Sequence, residues 1–327
     1  MSMFGTNTPS PDALDAIRDA RNSDYVAEPL DGVQSRHRSG GPAPIRLDAS
    51  VSPQWPPRDQ FGRGTCVAFA TLAAVELHRA LHDDMPPERL SEQFLHDRMT
   101  TAHMLPEAES AHLPQGGVLL RQALRALEED GVVRSELAPY RPVTATAKGS
   151  DDRTTSELLA AGARIECRAY GTIGNPESLD PARIDRIQPG QMTAQIVLDF
   201  LKLGLPVAIG VPLFQHPSGH SNWILPSALH SGIVHCPDDA HAPPLGGPRA
   251  DGHVVCITGF VPAPSDPLGG WFVFRNSWGL DFASHSATAA PRLSAGLRGF
   301  GLISGTHVNN YCWEYLVPVP ENTGPLA

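Results

Sequence analysis

Cys66, His253, Asn276 and Gln60 are the residue types that together perform acyl transfer, and their surroundings in the sequence suit that chemistry. Cys66 lies in "RDQFGRGTCVAFATLAAVELHRAL", where glycines give way to an apolar run with Phe69, Leu72, Ala73 and Leu77 at helical spacing. Thr65 is a suitable N-cap, which makes Cys66 the first residue of a helix. Unpaired N–H groups and the positive end of the helix dipole at that point favour a thiolate. Gly62 and Gly64 let the preceding loop approach a bound chain closely. A cysteine nucleophile needs a base, and the base needs an orienter. "DGHVVCITGF" puts His253 at the opening of a strand, and "WFVFRNSWG" puts Asn276 at the end of the next. If these strands are antiparallel neighbours, Asn276 holds one imidazole nitrogen and the other faces Cys66. Gln60, shortly before the cysteine, adds a side-chain amide that converges with the Cys66 N–H on a carbonyl oxygen. Taken singly, each residue has a plainer reading, as a packed thiol, a satisfied histidine or a turn. The four together carry the chemical reading.

The elements that must position these groups fall into two halves. After the Cys66 helix, Ser91 caps a second in "LSEQFLHDRM", and "GGVLLRQALRALEEDGVV" forms a third, with Leu120, Ala123, Leu124 and Leu127 on one face and Gly131 at its end. Residues 140–190 are Pro- and Gly-punctuated around a strand-like "ARIECRAYGTI". The helix "TAQIVLDFLKLG" follows, capped by Thr193 and stopped by Gly204. From there the period changes to two. "PVAIGVPL", "HVVCITGFV", "WFVFRNSW", "GFGLIS" and "CWEYLVPV" read as strands of a twisted sheet or half-barrel. Helices first and strands later predict an α+β fold with two lobes.

The stretch "FQHPSGHSNWILPSALHSGIVHCPDDAH" contains His216, His220, His230, His235, Cys236 and His241, but their spacing matches neither a helical ligand pair nor a CxxC knuckle. It is read as a Pro/Gly-rich loop near the rim of the site, and no metal or other cofactor is expected. The chain has 327 residues and a formal net charge of −10, which argues against a nucleic-acid or anionic-membrane partner. No apolar run is long enough to span a bilayer. The N-terminus has neither a basic nor an apolar leader region, so the expected compartment is the cytoplasm, with leaderless export left open. Five scattered cysteines, an odd number, suit reduced thiols.

"DQFGRGTCVAFA", "GHVVCITGF" and "FRNSWG" resemble the three signature blocks of the papain-like cysteine peptidases, in the same order. The similarity extends, with gaps, from about Ile45 to about Val319. It implies a helical left lobe bearing Cys66 and a β-rich right lobe bearing His253 and Asn276, with the active-site cleft between. It also implies roles: Cys66 as nucleophile, His253 as general acid/base, Asn276 as orienter, Gln60 in the oxyanion hole, and Trp278 as the indole shielding the Asn–His hydrogen bond. The Gly116–Gly117 pair would hydrogen-bond an extended substrate, and Gly210 and Val254 would border the main side-chain pocket. Residues 43–320 then form the peptidase domain, 1–42 an appendage serving as a short propeptide or latency plug, and 321–327 a tail. The implied activity is endo- or exopeptidase cleavage of a peptide or protein through a Cys thioester. An acyltransferase or deamidase using the same thioester, and a non-catalytic peptide-binding module, are the alternatives. The oligomeric state is not readable. Two positions depart from the family pattern: Arg63 replaces a cysteine that many members pair in a disulfide, and Val67 replaces an aromatic beside the nucleophile.

Overall fold

The structure, a computed structural model, describes residues 44–82, 87–105, 118–142, 155–165, 167–172, 193–263, 269–284 and 298–318. The 1–42 appendage, the 321–327 tail and the Gly116–Gly117 pair lie outside the described residues.

The first half is helical. Helix α1 (Cys66–His82) is built from small and straight-chain apolar residues and is buried on nearly every side. Helix α2 (Glu92–Thr101) begins at Ser91, whose hydroxyl accepts the Phe94 N–H at 3.0 Å. Helix α3 (Leu120–Glu129) buries Leu120, Ala123, Ala126 and Leu127, and the chain leaves it through Gly131 at φ 81°. A short helix that periodicity did not predict, α4 (Thr155–Ala161), buries none of its residues.

The second half is a sheet. Strands β1 (Ile45–Arg46), β2 (Cys167–Thr172), β3 (Val207–Phe214), β4 (Ile233–Val234), β5 (Pro248–Pro262), β6 (Gly270–Arg275), β7 (Phe300–Ser304) and β8 (Glu314–Pro318) lie in the order β2-β8-β3-β5-β6-β7-β4, with β1 pairing β5. All pairings are antiparallel except β4 with β7. Alternation along the strands divides their side chains between two cores. Val254, Cys256 and Leu316 join a core with α1 and α3. Val255, Ile257 and Val317 join another with α5 (Thr193–Lys202) and Val308 of α7 (Gly305–Tyr311). A sheet covered on both faces explains why β3 and β6 read as almost unbroken apolar runs.

Three local expectations are corrected. Thr193 is the first residue of α5 rather than its cap. The Thr65 hydroxyl pairs with the Tyr140 hydroxyl at 2.9 Å, while the Thr65 carbonyl receives the Phe69 N–H. The histidine-rich stretch is not a plain loop: it contains α6 (Pro226–Ser231), β4 and the fully buried Trp223. Among the described residues, no group of three or more His, Cys, Asp or Glu side chains is arranged to hold a metal ion. Among them, too, no helix is long and apolar enough to cross a membrane.

Candidate active site

Cys66 opens α1, His253 lies in β5, and Asn276 directly follows β6, the antiparallel neighbour of β5. The expected contact forms, with His253 Nε2 2.8 Å from Asn276 Oδ1, but His253 does not open its strand: β5 begins five residues earlier, at Pro248. The Ser277 N–H also donates to that oxygen at 2.8 Å, which fixes the amide as an acceptor. Nε2 is therefore the protonated nitrogen, and the lone pair is on Nδ1. Nδ1 is buried and has no hydrogen-bond partner among the described residues.

The imidazole is enclosed by aromatic rings. The Trp278 indole lies 5.0 Å from it at 34°, the placement expected of a shield over the Asn276 hydrogen bond. Trp223 meets it edge-on at 4.6 Å and 77°. Sequence reasoning missed Trp223, because a lone indole between Asn222 and Ile224 shows no period. Its only signal was a large apolar residue in an otherwise polar, Pro-broken stretch.

Cys66 is buried beside the next residue of β5, with the Val254 N–H at its thiol. Burial pushes the thiol up to about 11, against the N–H groups of Val254, Val67 and Cys66 itself, which pull it down. The Glu314 carboxylate adds a further upward push. Burial also lowers His253 to about 4, opposed by its hydrogen bond to Asn276. Desolvation thus opposes the thiolate that the helix start favours, while the N–H groups act in the expected direction.

Gln60 is fully buried and stitched to the residue after Asn276. Its N–H donates to the Ser277 carbonyl at 2.8 Å, and its Oε1 accepts the Ser277 hydroxyl at 2.5 Å. Asp59 bridges Trp278, and the Gly279 N–H donates to the Arg58 carbonyl, so residues 58–60 run antiparallel to 277–279 as a short extension of the sheet. Gln60 Nε2 donates to the Arg63 carbonyl at 2.6 Å, and the Tyr140 hydroxyl donates to the Gln60 carbonyl at 2.7 Å. The turn back toward Cys66 passes through Phe61 at φ 51°, in the left-handed region, with its N–H on Asp59 Oδ1 at 2.7 Å.

A buried ionic network anchors the same segment. Arg58 pairs with Glu76 of α1 at 2.5 Å and with Glu92 of α2 at 2.7 Å. Glu76 also accepts the Trp55 indole N–H and the Leu90 N–H. Arg275, just before Asn276, donates to the Trp55 and Pro56 carbonyls and stacks 3.8 Å from the Trp55 ring centroid. Arg63, the residue replacing a family cysteine, donates to Gln93 Oε1 at 2.7 Å and to the Arg141 carbonyl at 2.6 Å.

Gly210 and Val254 face each other across β3 and β5, and Glu314 faces Gly210 from β8. The space directly over Gly210 is filled by the Trp313 side chain. A methyl group on Gly210 would lie 2.5 Å from Trp313 Nε1, and one on Gly252 would collide with the benzo edge of the same indole.

No protein-family model matches the chain, and no curated protein sequence matches it significantly. Solved structures do. Xylellain, a cysteine protease from Xylella fastidiosa, is 17% identical, covers 90% of each chain and has a TM-score of 0.53. The ragweed pollen allergen Amb a 11, a cysteine protease in its proform, is 16% identical, with 94% of this chain and 75% of that one covered and a TM-score of 0.51. Procathepsin B from Trypanosoma congolense is 13% identical, with 93% and 85% covered and a TM-score of 0.52. At such identities the likeness is one of architecture, and the architecture of this chain is the papain-like α+β fold.

Proposed function

We propose that the protein is a cysteine peptidase in which Cys66 is the nucleophile, His253 the general acid/base, Asn276 its orienter and Gln60 an oxyanion donor. The observation that carries this reading is the His253–Asn276 hydrogen bond, which leaves the basic Nδ1 uncommitted next to the strand residue whose N–H touches the Cys66 thiol. The thiol proton passes to Nδ1 as sulfur attacks a peptide carbonyl. The Cys66 N–H and the Gln60 amide receive the developing oxyanion. His253 returns the proton to the leaving amine, giving a thioester. Water then gives its proton to Nδ1 while attacking the thioester, and the acid and the thiol are released. Unliganded geometry with Nδ1 and sulfur not yet hydrogen-bonded is compatible with this route, since such contacts tighten on substrate binding. The same thioester would serve transfer to an amine or deamidation of glutamine, and product analysis separates these. The burial of Cys66, with its thiol at about 11, is what favours the alternative of a non-catalytic peptide-binding module.

The test is peptide hydrolysis by wild type and Cys66→Ala, combined with labelling by one equivalent of a thiol alkylator. Wild type is expected to cleave and to be labelled at Cys66, with Cys66→Ala at least about 10⁴-fold slower. A wild-type protein that cleaves no peptide, or a Cys66→Ala variant that cleaves as well as wild type, refutes the peptidase reading.

A further inference from the structure

One of the chain's own indoles, that of Trp313, fills the space over two glycines that neighbour Val254 on the sheet. Glu314, Gly210 and Val254 form one row across β8, β3 and β5, and paired residues of an antiparallel sheet present their side chains to the same face. At one end of the row, Val254 has its N–H at the Cys66 thiol and its side chain in the core that contains Cys66. At the other end, Glu314 Oε1 accepts the Leu120 N–H at 2.9 Å, which ties the row to the start of α3. The middle position is a glycine. So is Gly252, on the same face of β5 and immediately before His253.

Neither glycine has a positive φ, so backbone shape does not require them. They supply room. Trp313 donates its N–H to the Gly210 carbonyl at 3.0 Å. Its Nε1 and Cε2 lie 2.5 and 3.1 Å from where a Gly210 Cβ would be, and Cζ2 and Cη2 cover Gly252. Trp313 is only 9% exposed. It thus fills the space over Gly210 and Gly252, on the face of β5 that carries the Val254 side chain.

We infer that Trp313 determines specificity: the site takes glycine or alanine at the substrate position whose side chain meets the Gly210–Gly252 face, and rejects leucine and phenylalanine there. This rests on the peptidase reading. The test is a set of peptides in which each of three positions on either side of the cleaved bond carries Gly, Ala, Leu or Phe, assayed with the full-length protein. Wild type is expected to show one position at which Leu and Phe lower kcat/KM by about tenfold or more. Trp313→Ala should restore that position by a similar factor and leave the others unchanged. Trp313→Leu, which keeps an apolar side chain in the core, should give an intermediate gain and serves if the alanine variant does not melt cooperatively. Equal acceptance of Leu and Ala at every position by wild type overturns the inference, as does an unchanged profile in a folded variant. Absence of any peptide cleavage by wild type is a separate result: it removes the peptidase reading, and this inference with it.

Discussion

Glu314 combines two roles that pull against each other. Its carboxylate receives N–H groups at the start of α3, which favour the charged form, yet burial raises it to about 7. A carboxyl raised in the folded state contributes stability that is fully present below its unfolded value and lost as pH rises through about 7. Over the same range its growing charge opposes ionisation of Cys66. Glu314→Gln keeps an acceptor for the Leu120 N–H and removes the charge. The expected outcome is a pH profile of Cys66 alkylation displaced to lower pH, with a severalfold faster rate above pH 7. Superimposable profiles would show that the charge does not reach the thiol. Cys66 and Asn276 were suggested by local sequence because each stands at an element boundary that its neighbours announce, and His253 by the apolar run that follows it, although β5 begins earlier, at Pro248. Glu314 and Trp313 stood in a recognised strand, but their significance depends on which residues lie across from them, and pairing register is not written in one strand.

The elements around the site are tied by buried charges as well as by apolar packing. Arg58 is the cation shared by α1 and α2, through Glu76 and Glu92. Arg58→Met leaves two buried carboxylates without it and should cost about 3–5 kcal/mol. Burial raises Glu92 to about 7, so the loss is expected to be larger above pH 7 and to shrink toward pH 4.5, where Glu92 is protonated. Urea unfolding of wild type and variant at pH 5 and pH 8 measures both values, and equal losses would contradict the assignment. The long helices and the main strands were readable from their periods. Helices α4, α6 and α7 were not, because two turns with few apolar residues produce no stripe. Even so, α7 has a clear start, with Ser304 Oγ accepting the His307 N–H at 2.9 Å.

At the scale of the molecule, two cores on opposite faces of one sheet carry the fold, with Cys66, Cys236, Cys256 and Cys312 all unbridged. The Arg63 side chain clamps the loop before Cys66 to Gln93 and Arg141. Melting temperature and Cys66 alkylation rate should therefore be the same after incubation with or without excess reductant, once the reductant is removed. A lower melting temperature in the reduced sample would reveal a bridge. Helices before strands, and hence two lobes, followed from the change of period after Gly204. The strand order did not, since β8 lies between β2 and β3 for reasons of packing that no local pattern records.

Under the proposed roles, the antiparallel stitch between residues 58–60 and 277–279 makes the sheet a machinist's jig for half of the reaction. Gln60 and His253 are both referenced to the stretch that begins at Asn276, one through the Ser277 peptide and the other through the Asn276 side chain. Sulfur is not: it rides on α1, beyond the turn at residues 61–65. Hinge-like opening of the lobes would change how far the sulfur must travel, while the spacing between the proposed oxyanion donor and the proposed base stays in register.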